Sequence, residues 1–185
     1  MCGLCGFYSF KEKISSQHII LMNETIRHRG PDDEGFWFGD LQESKSFFGN
    51  DTSFELKNKD EIISNEILGN IGLGFRRLSI VDLSAKGHQP MTSKNKQIII
   101  TFNGEIYNFK TLKQELIALG HLFETSSDTE VIINAYQEWG EEMIPKLDGM
   151  FSFVIFDKNK NTLLIARDRI GMKPFFYYLS KDKIF

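Results

Sequence analysis

The sequence predicts an α+β fold of antiparallel sheets packed with helices. Strand-like segments open and close the chain, helical segments are grouped in its middle, and no regular strand–helix–strand alternation of a doubly wound parallel sheet runs through it. The 185 residues, 41% hydrophobic and 25% charged, are enough for one globular domain, or two small ones at most, with a sizeable core and no disulfide or metal staple.

Taken in order, residues 3 to 10 (GLCGFYSF) read as a buried strand. A helix follows over 15 to 27, with Ser15 or Ser16 as cap and Ile19, Ile20, Met22 and Ile26 turned inward. Gly30-Pro31 stops it, and a Gly-Pro-Asp turn leads into a strand at 34–38. The polar, unpatterned stretch from Gly39 to Asn70 reads as an elaborated insertion. Strands resume at 71–76, 97–103 and 105–109, and the Asn103-Gly104 pair between the last two predicts a tight turn. Helices are expected at 110–119 and 128–139, the second with Glu130 in its first turn, where the helix dipole favours acid. Strands at 151–157, 162–167 and 175–179 close the chain as an antiparallel meander. The runs Phe36-Trp37-Phe38 and Phe175-Phe176-Tyr177-Tyr178 predict aromatic layers between sheet and helices.

Composition excludes several roles. Apolar runs such as Ile98 to Ile100 fall far short of the roughly 20 residues a membrane span needs. Lys11 and Lys13 follow the first apolar stretch instead of preceding it, the wrong polarity for a secretory signal, so a cytoplasmic protein is expected. A net charge of −3 offers no attraction to nucleic acid or anionic lipid.

Cys2 stands one initiator methionine from the amino terminus. Removal of Met1 would give one residue both a thiol, with pKa about 8.5, and an α-amine of pKa about 7.7–8.0, a nucleophile and its base without any histidine. The competing reading is a small apolar residue at a frayed terminus. Cys2 and Cys5 form a C-x-x-C, but one such pair supplies two ligands, and His18, His28, His88 and His121 lie singly, so no metal site is expected. A redox pair would open a helix, whereas these residues continue as strand, and Cys5 reads as core.

The blocks Met1-Cys2-Gly3-Leu4-Cys5-Gly6, Arg27-His28-Arg29-Gly30-Pro31-Asp32-Asp33-Glu34-Gly35 and Arg77-Leu78-Ser79-Ile80-Val81-Asp82 are joined further on by His88-Gln89-Pro90-Met91, Phe102-Asn103-Gly104-Glu105-Ile106-Tyr107-Asn108, Ser127-Asp128-Thr129-Glu130 and Ala166 to Pro174. In order and over nearly the whole chain they resemble the class II glutamine amidotransferase domain of glutamine-hydrolysing asparagine synthetases. Only Gly39 to Asn70 is longer than the usual family form.

The resemblance implies a four-layer αββα sandwich of the N-terminal-nucleophile hydrolase type, with residues 1–185 as a single glutaminase domain and a C-terminal ATP-dependent synthetase domain absent from this chain. It implies hydrolysis of L-glutamine through a Cys2 thioester, the ammonia serving an ATP-activated acceptor, aspartate, in that synthetase domain. Arg77 would clamp the α-carboxylate, a task suited to a planar guanidinium. Its alternative is a surface arginine beside Arg76. Asp128 would receive the α-ammonium with help from Glu105, its alternative being a helix cap. Asn103 and Gly104 would form the oxyanion hole, and Ile80 and Val81 would lend backbone groups to the glutamine site. Arg29 to Asp32 is taken as supporting structure, and Asp168 as a residue that fixes its loop. No cofactor is implied for this half, ATP and Mg belonging to the synthetase domain. The partners implied are L-glutamine and that domain, a homodimer being compatible. Alternatives are an amidotransferase feeding another acceptor such as a surface-polysaccharide sugar acid, a non-catalytic glutamine-sensing or docking module, and a cysteine–histidine hydrolase using His28 or His88.

Overall fold

The computed structural model describes residues 2–57, 60–64, 66–78 and 87–185. The chain forms two compact units, one of Met1–Pro90 with Phe176–Phe185 and one of Met91–Phe175.

The first unit contains strands β1 (Gly3–Ser9), β2 (Ile14–Ser15), β3 (Asp33–Gly39), β4 (Ser44–Phe48), β5 (Glu61–Ile62), β6 (Leu68–Gly69), β7 (Ile71–Arg77) and β12 (Lys183–Ile184), and helix α1 (Gln17–Thr25). Its main sheet runs β12-β1-β7-β3-β4-β5, antiparallel throughout except for the parallel β4–β5 pair. In β7 (IGLGFRR) the alternation of a strand turns Gly72, Gly74 and Arg76 to the face that carries α1. A side-chain carbon at Gly74 would stand 2.9 Å from Cys5 Sγ and 3.2 Å from Asn23 Oδ1, so glycine there lets the helix lie close on the sheet. Phe7, Ile19, Phe36 and Phe38 fill the remaining space, Phe7 meeting Phe38 edge-on at 6.1 Å. Ser16 is the N-terminal boundary residue of α1, but its hydroxyl donates to the Ser64 carbonyl, while Ser15 Oγ accepts from the Gln17 N–H at 3.2 Å.

The second unit contains β8 (Met91–Thr92), β9 (Ile98–Ile106), β10 (Gly149–Asp157) and β11 (Thr162–Arg167), with α2 (Phe109–Ala118) and α3 (Asp128–Trp139). Its antiparallel sheet runs β11-β10-β9-β8. Ile98, Ile100 and Phe102 of β9 with Phe151, Phe153 and Ile155 of β10 share one core with Leu112, Leu116, Ile132 and Ala135 of the helices. Helix α3 begins where the sequence predicts, Ser127 Oγ accepting from the Thr129 N–H at 3.1 Å and Glu130 accepting from the Glu124 and Thr125 N–H groups at 2.8 and 2.7 Å. Among the described residues no helix is long and apolar enough to cross a membrane.

Four expectations change. Asn103 and Gly104 are not a hairpin turn: both lie inside the continuous strand β9, opposite Ser152 and Phe151 of β10. A nine-residue ladder outweighs the local turn preference of the dipeptide. The stretch from Gly39 to Asn70 is not unpatterned, since it supplies β4, β5 and β6. Residues 175–179 form no strand beyond a bridge of Leu179 to Ile184, and the strand at this end is β12. The Phe36-Trp37-Phe38 run is buried as expected, but Phe176, Tyr177 and Tyr178 are exposed, Phe176 by 90%.

Candidate active site

In the first unit the site residues gather where β1 starts and β7 ends. Antiparallel pairing sets Gly3 opposite Arg76, which carries Cys2 to the exit of β7. There the Leu78 N–H reaches Cys2 Sγ at 3.4 Å, and Sγ lies 3.8 Å from the Leu78 carbonyl oxygen. Arg29 Nε donates to the Cys2 carbonyl at 3.2 Å. The nucleophile candidate is thus held through backbone and sulfur alike.

Arg77 is the last residue of β7, opposite Asp33 of β3, and it is 8% exposed. Arg76 is 2% exposed, so neither is a surface arginine. A side-chain carbon at Gly87 would fall 2.3 Å from Arg77 Nη2, so the guanidinium lies directly against the Gly87 backbone. Asp33 accepts from the Ser53 N–H at 3.0 Å and pairs with His88 Nδ1 at 2.8 Å. Ile80 and Val81 lie outside the described residues.

In the second unit the predicted residues gather around the end of β9. Asn103 is buried. A side-chain carbon at Gly104 would meet the Met150 carbonyl oxygen at 2.3 Å and Phe151 Cα at 2.7 Å, so the glycine is demanded by the close approach of β10. Glu105 is exposed. Asp128 opens α3 and accepts from the Ile106 N–H at 3.1 Å. Ser127 is the N-cap of α3, so the Asp128 carboxylate lies one residue inside the helix start. Burial pushes the Asp128 carboxyl above its ordinary value; the backbone N–H groups of Ile106, Thr129 and Asp128 itself oppose this and the Glu105 charge adds to it.

Asp168 fixes its loop, as expected, accepting from the N–H groups of Met172 at 2.8 Å, Lys173 at 3.0 Å and Phe151 at 3.3 Å. Burial alone would raise its carboxyl, but these donors outweigh it and hold the group below its ordinary value. Cys5 is half-buried, packed against the core of the first unit instead of inside it; its thiol is pushed up to about 12 by burial, against the lowering pull of Arg76 and the Gly74 backbone.

The sequence reading missed two features. Leu78 acts through its backbone, which no residue type reveals. Arg76, passed over as the neighbour of Arg77, is the centre of a buried ion cluster: its guanidinium reaches Asp51 at 2.7 Å, Glu34 at 2.8 Å and Glu24 at 3.0 Å, and the Asn23 carbonyl at 3.2 Å. The signal was an arginine at an inward position of a strand, a charge that burial permits only when paired.

The sequence profile of the glutamine amidotransferase domain family matches residues 1–46 and 59–185. The chain belongs to that family. Among curated relatives, this amidotransferase domain is 38% identical over 192 residues to the putative glutamine-hydrolysing asparagine synthetase 2 of Methanocaldococcus jannaschii, an alignment covering 96% of this chain and 32% of the relative. It is also 38% identical over 181 residues to glutamine-hydrolysing asparagine synthetase 3 of Bacillus subtilis, covering 96% of this chain and 25% of the relative. The chain therefore spans between a quarter and a third of these two relatives. A solved structure of the B. subtilis glutamine phosphoribosylpyrophosphate amidotransferase, complexed with ADP and GMP, superposes with a TM-score of 0.76 at 22% identity, covering 100% of this chain and 41% of that one. The fold is accordingly α+β and shared with that amidotransferase. The stretch outside the family profile, 47–58, lies within the segment the sequence marks as an insertion.

Proposed function

We propose that this amidotransferase domain hydrolyses L-glutamine to glutamate and ammonia, with Cys2 as nucleophile after removal of Met1. The observation that carries the reading is the placement of the Cys2 thiol on the Leu78 backbone, one residue beyond Arg77. Cys2 sulfur attacks the amide carbon of glutamine and its proton passes to the Cys2 α-amine. Asn103 Nδ2 and the Gly104 N–H receive the oxyanion, a contribution of about 3–4 kcal/mol for each such donor. The C–N bond breaks, the leaving nitrogen takes the proton back and departs as ammonia, and water cleaves the γ-glutamyl thioester to free glutamate and the thiol. Arg77 holds the α-carboxylate and Asp128, with Glu105, the α-ammonium; Ile80 and Val81 serve through their backbones.

This half of the reaction uses no cofactor. The ammonia goes to an ATP-activated acceptor in a synthetase domain, with ATP and Mg acting there, and aspartate is the acceptor that the names of the relatives favour. The setting is the cytoplasm, and the net charge of −3 argues against nucleic acid as a partner.

Intact mass and a glutaminase assay on the same preparation test the reading. The form lacking Met1 should hydrolyse glutamine and take up one equivalent of diazo-oxo-norleucine on Cys2. Equal activity in a form that keeps Met1 would remove the α-amine from the mechanism, and correctly processed protein that neither reacts nor turns over would favour a binding module.

A further inference from the structure

The stretch that the family profile skips is tied to the strand carrying Arg77. Its turn from Gly49 to Ser53 laps over the start of β3, where register places Asp33 opposite Arg77 and Glu34 opposite Arg76. The Asp51 N–H donates to Glu34 Oε1 at 2.7 Å, Thr52 Oγ1 donates to the Glu34 carbonyl at 2.6 Å, and the Ser53 N–H donates to Asp33 Oδ1 at 3.0 Å. A side-chain carbon at Gly49 would meet Glu34 Oε1 at 2.2 Å, so the Glu34 carboxylate packs directly on the glycine of the turn. The Asp51 carboxylate then bridges two arginines, Arg76 Nη1 at 2.7 Å and, through both oxygens, Arg27 Nε and Nη2 at 2.9 Å.

We propose that the Gly49–Ser53 turn is a positioning device for the glutamine site, with Asp51 its principal residue. The inference rests on the glutaminase reading and adds to it a residue outside the family profile. Arg76 is the member of β7 immediately before Arg77, and Leu78, which holds the Cys2 sulfur, comes immediately after. A guanidinium buried to 98% and fixed by Asp51, Glu34 and the Asn23 carbonyl cannot change rotamer without breaking several charged hydrogen bonds at once. It therefore pins the strand end from which the proposed carboxylate clamp projects. Ser53 does the same from the opposite strand, by locking the Asp33 side chain across from Arg77. Asp51 is not needed for charge balance: Glu24, Glu34 and Asp51 face Arg76 and Arg27, and neutralising Asp51 leaves two acids facing two arginines. Its removal should loosen geometry more than it unfolds the unit.

The test is steady-state glutamine hydrolysis by the processed chain. D51A should raise KM for glutamine roughly ten- to hundredfold, the scale of a displaced positioning group, while kcat stays within about threefold. D51E should recover most of the loss, and Lys45→Ala, which removes the Lys45–Glu61 pair elsewhere in the same insertion, should match wild type. If D51A does not fold, D51N, which keeps the shape and loses the charge, carries the same expectation of a raised KM. Folded D51A or D51N with unchanged KM overturns the proposal, as does an equal rise in K45A. A wild-type chain that is processed yet inactive and unlabelled on Cys2 overturns the glutaminase reading, and this inference with it; an active wild type beside an unaffected D51A overturns the inference alone.

Discussion

Cys2 Sγ and the Leu78 backbone nitrogen are 3.4 Å apart, across 76 residues of sequence. The contact joins the first residue before β1 to the first residue after β7, two strands already paired from Gly3 with Arg76 to Tyr8 with Ile71. The position of the thiol is therefore set by the same ladder that sets Arg77, and the proposed nucleophile and the proposed carboxylate clamp share one register.

The two cysteines should separate cleanly under an alkylating agent. With the Cys5 thiol pushed up to about 12, and so almost wholly protonated at pH 8, iodoacetamide at that pH should modify Cys2 alone. Peptide mass mapping checks this, and comparable labelling of both residues would contradict the placement of Cys5 beneath α1.

Arg77→Ala should raise KM for glutamine about ten- to hundredfold, matching the roughly 1.5–3 kcal/mol of a charge-assisted hydrogen bond. Circular dichroism and a thermal melt should show the fold retained. Arg77→Lys should recover only part of the loss, because an ammonium cannot bind a carboxylate through two parallel N–H groups. An unchanged KM in the alanine variant would take Arg77 out of the site.

On the proposed role of Asp128, glutamine hydrolysis should carry a pH signature. A carboxyl raised above its unfolded value favours the protonated folded state, so its stabilising contribution is full below about pH 3.9 and is lost as pH rises through the raised value. Binding an ammonium requires the ionised form. Glutamine KM should thus climb, as pH falls, at a higher pH than an ordinary carboxylate would produce. Asp128→Asn should have a high KM with that inflection gone, and a variant that keeps the inflection would assign it to another group.

Gly104→Ala should destabilise the second unit, because the new carbon would sit 2.3 Å from the Met150 carbonyl oxygen in the neighbouring strand. Asn103→Ala needs no such rearrangement and should lower kcat by about 10²–10³ while Cys2 remains open to alkylation. If alkylation fails too, the variant has misfolded and the oxyanion role is unsupported.

Sequence pattern exposed the parts of the fold where local preference and tertiary demand agree. Helix α3 runs from Asp128 to Trp139 as predicted, its serine cap and acidic first turn both in place, and β11 runs from Thr162 to Arg167. At Asn103-Gly104 the two disagree. The dipeptide favours a turn, but β10 offers partners on both sides of it, and the glycine serves a close strand crossing. At Tyr177 and Tyr178 the aromatic pattern predicts a layer between sheet and helices, yet both are exposed, and Tyr178 pairs through its backbone with Phe185. The residues proposed for the chemistry can be picked out by type and motif, whereas Leu78 and the Asp51–Arg76 pair cannot. One works through its backbone, and the other needs residues 25 positions apart to meet.

The division of the chain also orders events in time. The four strands of the second unit all lie within Met91–Phe175, an unbroken stretch, while the sheet of the first unit takes its outermost strand from Lys183–Ile184, beyond that stretch. During synthesis from the amino terminus every strand of the second sheet leaves the ribosome while β1 still lacks one neighbour. A nascent chain therefore holds the β1 strand, and the cysteine in front of it, with one edge open until Lys183 and Ile184 have emerged.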